Sequence, residues 1–416
     1  SDGGSAIAAF TVTCASSNGG VTKSAFGTVS PIMVSGLTNG KSYTCTVTAT
    51  NSVGTGPASP SSQAFIPAAP TSVAPSSAHT CARTSTGSVK CWGRNLEGEL
   101  GTGTTVSSTA PVVVPGLTGV SAVVTAGFHT CALISNGTVR CWGRNVEGEL
   151  GDGTTTNRAS PVAVAGLAGV TALAAGNFHT CAQLSNGTAK CWGRNVEGQL
   201  GDGTTSNRPA PVVVSALAGV TELAAGGYDT CARVTNGTAK CWGRNSEGQV
   251  GDGSTTKRPA PVTVVGLTGV TTLSVGGFHT CALLSDATVK CWGRGVEGQL
   301  GNGAVTNSSV PRPVTGLTGA TSITAGGSHT CALVVATVRC WGNNAEGEIG
   351  NGTTTNAKTP VAVPGLTGVV AVSAGGSDTC ALVTNGVVKC WGLNDHGQLG
   401  DGTSTNRTTP TVVVGF

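Results

Sequence analysis

The sequence predicts an all-β protein, a seven-bladed β-propeller preceded by a partial β-sandwich. Three observations carry the expectation of a propeller. The phrase Cys-Trp-Gly recurs with its tryptophan at Trp92, Trp142, Trp192, Trp242, Trp292, Trp341 and Trp391, a period of 50 residues shortened once to 49. Within each period lie short apolar runs punctuated by Gly, Pro and Asn, the pattern of one four-stranded blade. No segment shows helical spacing of its apolar residues.

Each repeat passes through an SPVAVAG-like strand, a GVTALAAG-like strand, HTCAQLS, a turn, TAKCWG and a polar loop such as RNVEGQLGDGTTSNR. The 416 residues include 65 glycines and 16 cysteines but only 4% aromatics. Ala, Val and Thr bury little area each, so such a core needs additional support. The hairpins supply it. If Ser135, Asn136 and Gly137 form a three-residue loop, Ile134 pairs with Thr138 and Cys131 falls opposite Cys141, a non-hydrogen-bonded site with a Cα separation of about 4.5 Å, within disulfide range. The repeat CALVVATVRC is one residue shorter, and a two-residue loop at Val335 and Ala336 again sets Cys331 against Cys340. Repetition then gives Cys81-Cys91, Cys181-Cys191, Cys231-Cys241, Cys281-Cys291 and Cys380-Cys390. In the fifth repeat Ala287 replaces the turn glycine, at a cost of about 1 kcal/mol if the loop is unchanged. Closely spaced Cys/His clusters of a zinc site are absent from the sequence.

Charged residues make up 10% of the chain, 23 basic and 19 acidic, with no basic run, which argues against nucleic acid as a partner. No apolar run approaches the roughly 18 residues of a membrane span, so membrane insertion is not expected. The first residues, SDGGSAIAAF, lack the features of a signal peptide. Paired cysteines indicate an oxidising compartment. For ring closure, the degenerate TSVAPSSAHT before the first hairpin suggests that residues 71–77 and 410–416 share one composite blade.

The phrases HTCAL, NGTV.CWG.N..GQLG and DGTT resemble the regulator of chromosome condensation repeat family, in all seven copies over residues 71–416. The resemblance implies a seven-bladed propeller. It leaves function open, because members include a nucleotide-exchange factor for a small GTPase and a secreted bacterial inhibitor of β-lactamases. These repeats carry no long insertion to act as a wedge and no basic tail, and cysteine pairs do not suit a nuclear protein.

Residues 1–67 differ. GLTNGKSYTCTVTATNSVGTGPAS looks like the end of a fibronectin type III domain, with Leu37 and Tyr43 placed as in a tyrosine corner. That resemblance sets Cys14 and Cys45 on neighbouring strands, an eighth pair, Cys14-Cys45. By the family pattern the first two strands are missing, which is expected either from a longer polypeptide or from a neighbour that adds strands to build a fibre. The expected division is a partial fibronectin type III domain at 1–67, a linker and closing strand at 68–78, and the propeller at 79–416.

Comparison among the repeats separates scaffold from candidate site. Before each His-Thr or Asp-Thr step stand Ala78, Phe128, Phe178, Tyr228, Phe278, Ser328 and Ser377. Packing does not demand an aromatic there, so Phe128, Phe178, Tyr228 and Phe278 are the candidate binding residues. The following position holds five histidines and two aspartates, too widely dispersed round a ring to share one metal; a hydrogen bond tying loop to strand is expected. Arg94, Arg144, Arg194, Arg244 and Arg294 follow Cys-Trp-Gly, and glutamates stand three residues later in six repeats, so two charged rings are expected to pair. The DGTT loops offer too few carboxylates for calcium and are read as turns. Sequons such as Asn136 to Thr138 follow from turn chemistry.

No nucleophile with an attendant base is visible, so neither an enzyme nor a cofactor is expected. The expected function is a secreted or cell-surface adhesion or protein-interaction scaffold, extracellular and bacterial, whose partner is another protein or copies of itself. The alternatives are a subunit of an extracellular fibre or sheath and a secreted inhibitor of an enzyme.

Overall fold

The computed structural model describes residues 4–416 except 31, 33, 35, 39 and 385. Seven four-stranded antiparallel sheets and one three-stranded sheet account for its strands. Blade one comprises Pro70–Pro75, His79–Thr84, Val89–Gly93 and Ser108–Val113, and blade seven comprises Val369–Ala374, Asp378–Val383, Val388–Gly392 and Arg407–Val412. In each blade the first strand in sequence is innermost, and the seven inner strands surround an axial channel of about 440 Å³.

Every blade uses four consecutive strands, which corrects the expected composite blade: residues 71–77 lie in blade one and 410–416 in or beyond blade seven. The degenerate TSVAP segment still pairs with its own hairpin, Val73 opposite Ala82. The ends are joined instead by the device that joins every pair of neighbours. The polar loop of one blade reaches across to the next, so Gly103 N donates to Ala159 O at 2.8 Å and, at the seam, Gly402 N donates to Thr109 O at 3.1 Å.

The core is distributed between blades. One cluster combines Cys131, Cys141 and Leu150 of blade two with Ala182 and Trp192 of blade three. Both faces of a blade are therefore buried, which explains why its central strands are apolar at successive positions. Each tryptophan is fully buried and its indole N–H is satisfied across the joint, as Trp192 Nε1 donates to Glu149 O at 2.8 Å. A Cβ on Gly151, whose φ is +69°, would lie 2.7 Å from that indole nitrogen, so only glycine fits there.

The hairpins set the sulfurs. Cys131 is in register with Cys141 and bonded to it, with Cα atoms 4.1 Å apart. The shorter sixth hairpin turns at Val335 and Ala336, both at positive φ, and brings Cys331 and Cys340 to the same 4.1 Å. Ala287 keeps the glycine conformation, φ 62°. The remaining blade disulfides are Cys81-Cys91, Cys181-Cys191, Cys231-Cys241, Cys281-Cys291 and Cys380-Cys390.

Near the N-terminus, Ala9–Ser16 lies between Lys23–Gly27 and Tyr43–Thr50, and Cys14 is bonded to its register partner Cys45. The buried Tyr43 hydroxyl accepts from Thr38 N and donates to Val21 O, both at 3.0 Å, the hydrogen bonding of a tyrosine corner. Leu37, Phe65 and Ile66 line a crevice of about 470 Å³ against Lys90 and Phe416 of the propeller.

Candidate protein-binding face

The loops between the first and second strands converge at one mouth of the channel, where Gly127, Asn177, Gly227 and Gly277 line a constriction. The next residue in each case is a candidate aromatic. Phe128, Phe178, Tyr228 and Phe278 are half-buried and form one arc, with successive centroids 6.5, 5.7 and 6.2 Å apart. The arc is neither freely exposed nor wedged out of reach between blades.

Guanidinium groups alternate with these rings. Arg94 lies 4.7 Å from the Phe128 ring and Arg144 5.1 Å from that of Phe178. Arg194 stands between Phe178 and Tyr228, and Arg244 between Tyr228 and Phe278. Such contacts hold both partners at low entropy and contribute about 0.5 to 1 kcal/mol each at exposed sites. Two residues beyond the arginines, Leu96, Val146, Val196 and Val296 are exposed, adding aliphatic surface.

The two charged rings pair only in part. Arg94, Arg144 and Arg294 bind Glu97, Glu147 and Glu297. Sequence reading missed a third position, five residues after the arginine or, in the last two blades, after Asn343 and Leu393: Glu99, Glu149, Gln199, Gln249, Gln299, Glu348 and Gln398, all buried. Glu99 and Glu149 share Arg94 and Arg144 with the outer glutamates. Burial, then the hydrogen bond with Glu97, pushes the Glu99 carboxyl up to about 7, and the same causes act on Glu149. Burial opposes ionisation of Glu97 too, but its bonds to Arg94 outweigh this and hold it below the usual range. The signal available in sequence was the alternation of Glu and Gln before the loop leucine.

The histidines connect blade to blade, and His79 alone among them also makes the expected loop-to-strand bond, its Nδ1 lying 3.0 Å from Ser76 Oγ. His129 Nε2 lies 2.8 Å from Thr180 Oγ1, which itself donates to Glu149 O. The threonine proton is therefore committed, and the imidazole must donate from Nε2. Burial lowers the five buried histidines, four to about 3 and His279 to about 4, so they are neutral at ordinary pH. At the other joints the shorter Asp229 and Asp378 are buried with neither oxygen in hydrogen-bonding geometry. Burial raises both carboxyls well above the usual range.

The DGTT loops are turns. Asp152 accepts from the backbone and hydroxyl of Thr154 and pairs with Arg158 at 2.9 Å. Among the described residues, no group of three or more His, Cys, Asp or Glu side chains could hold a metal ion, and no helix is long and apolar enough to cross a membrane.

This architecture, with its internally bonded blades, defines a disulfide-braced protein-interaction scaffold. The Regulator of chromosome condensation (RCC1) repeat model matches residues 86–133, 136–183, 186–233, 236–283, 287–333, 337–382 and 385–416, and the chain belongs to that family. A fibronectin type III model matches residues 1–65. Among solved structures, the chain is similar to Prp20p of Saccharomyces cerevisiae, with 24% identity, 78% of this chain and 85% of that one covered, and a TM-score of 0.70. Yeast RCC1 (Prp20) bound to Kap60 gives 22%, 78% and 83%, and 0.71. Human WBSCR16 gives 20%, 78% and 93%, and 0.68. These identities speak to the fold alone. A search of curated proteins found no match.

Proposed function

We propose that the protein is a non-catalytic, secreted or cell-surface scaffold of a bacterium that holds a protein partner on the face carrying Phe128, Phe178, Tyr228 and Phe278. The observation that supports this reading is the unbroken alternation of aromatic rings from blades two to five with guanidiniums from blades one to four, in a chain whose other three blades manage with Ala78, Ser328 and Ser377. Aromatic and arginine side chains are the residues that most often anchor protein interfaces. Eight disulfides support an oxidising, extracellular setting. Inhibition of an enzyme is the special case in which the partner is an enzyme.

The test is site-specific photo-crosslinking in the source culture from position 196, beside the arc, and from position 186, at a hairpin tip on the opposite face. Adducts from 196 alone, competed by unlabelled protein but not by its Phe178→Ala/Tyr228→Ala variant, are expected. Equal labelling from both positions, or none from 196, refutes the face. Polymer formation is a second reading, favoured by Phe26, 83% exposed on the edge strand Lys23–Gly27. It requires that Phe26→Lys abolish assemblies seen by sedimentation.

A further inference from the structure

Blade five shows how this face seats a carboxylate. Glu297 accepts from Arg294 Nε at 3.0 Å and Nη2 at 2.5 Å, and also from Gln299 Nε2 at 2.7 Å. One carboxylate thus satisfies a guanidinium and a buried amide together. In blades three and four the same donors stand without that acceptor. Arg194 and Arg244 form no ion pair among the described residues, although Arg244 Nε donates to Ser246 Oγ at 2.9 Å and leaves the remaining guanidinium N–H groups for a carboxylate. The amide nitrogens of Gln199 and Gln249 are buried and have no hydrogen-bond partner. Their orientation is fixed, because each Oε1 accepts a backbone N–H, from Glu197 and Glu247, at 3.0 Å. Of the nearby carboxylates, Glu147 is engaged by Arg144 and Glu247 by Asn307 Nδ2 at 2.5 Å, while Glu197, the counterpart of Glu297, makes no ion pair with Arg194. A buried donor without an acceptor is costly, and a charged acceptor that reaches it also meets a preoriented guanidinium.

Resting on the binding-face reading, we infer that Arg194 with Gln199 and Arg244 with Gln249 are two carboxylate seats for an acidic segment of the protein partner. Tyr228 lies between them, 5.2 Å from Arg194 and 5.7 Å from Arg244. The segment therefore carries two acidic side chains separated by an apolar one that covers the tyrosine. Complementary charge sets its orientation and the ring supplies contact area.

The experiment is an anisotropy titration of the full chain with fluorescein-labelled hexaglutamate at low ionic strength. Saturable binding is expected, weakened about tenfold or more in Arg194→Gln/Arg244→Gln. Gln199→Glu/Gln249→Glu should weaken it similarly, because the new carboxylates engage the arginines internally as Glu99 engages Arg94. Arg140→Gln, on an exposed site near the hairpin tip, should bind like the parent. Near-ultraviolet circular dichroism checks that each variant keeps its packed tryptophans. Absence of binding by the parent overturns the inference, since Glu197 and Glu247 would then fill the seats as Glu297 does. Unchanged affinity in both double variants, or displacement by inorganic phosphate or single-stranded DNA, overturns it equally. Crosslinking from position 196 that depends on Phe178 and Tyr228 but ignores both charge variants removes the seats and leaves the binding face standing. Loss of that crosslinking in the parent removes both.

Discussion

The Nε2 of His129 lies 2.8 Å from the hydroxyl of Thr180 in the neighbouring blade, and five of the seven joints carry this pair. The threonine hydroxyl donates its own hydrogen bond to Glu149 O, which also accepts from Trp192. Replacing Thr180 by valine keeps the volume but strands a buried N–H. The expected loss is about 1 to 3 kcal/mol, against a much smaller one for Thr180→Ser, read by urea unfolding of the oxidised protein. Equal losses for the two variants would mean that the methyl group, not the hydroxyl, matters.

Asp229→His restores the common joint where Asp229 now has none. A carboxyl raised by burial favours folding only below its unfolded pKa and opposes it as pH rises. A histidine depressed to about 3, as in blade three, contributes fully above 6.5 and loses that contribution as pH falls. The variant should therefore gain stability over the parent at pH 8, and the gain should shrink between pH 6.5 and 4. A gain independent of pH would show that the buried charge is not its origin.

Double replacement of Cys131 and Cys141 by alanine should cost about 2 to 3 kcal/mol, the chain entropy released by opening so small a loop. Denaturant titration of the variant beside the intact protein measures it directly. A negligible change would mean that cross-strand packing alone holds the hairpin.

Gly151→Ala should destabilise by about 3 kcal/mol or more, since the added methyl meets the Trp192 indole at a positive φ. By contrast Ala287→Gly should stabilise by roughly 0.5 to 1 kcal/mol, removing strain at φ 62°. Thermal unfolding of both variants separates the effects, and a neutral Gly151→Ala would show that the tryptophan can shift.

Much of the propeller was legible because its information is local. An Asn-Gly turn fixes the register by counting outward, so the pairing of Cys131 with Cys141 follows from neighbours alone. What could not be read depends on the contact of one blade with the next. Ring closure was misassigned because TSVAP lacks the usual glycine and leucine, yet pairing requires only an extended backbone. The His129 to Thr180 bond crosses 51 positions. Glu99 and Gln199 looked like ordinary polar loop residues, although the arginine above and the backbone beside them decide their role. One coupling was present in the sequence and went unread. Asp152, Asp202, Asp252 and Asp401 each pair with an arginine six residues on, whereas Thr102, Asn302 and Asn351 are followed at that spacing by Ser108, Ser308 and Ala357. The register shift between Cys141 and Gly143 sets Arg158, at the start of the outer strand, opposite Gly143, and the turn at Asp152 to Thr154 carries the carboxylate back to it.

None of the disulfides links blade seven to blade one, so that junction is held by hydrogen bonds such as Thr80 to Gln398 and by packing such as Trp92 against Phe416. Under tension applied along the chain, the wheel can open there and unwind while every hairpin stays tied. Each tied hairpin withholds about 35 Å of contour, ten residues of extended chain, from the stretched molecule. A fully extended molecule would therefore be shorter by that amount per blade until a reductant cut the ties.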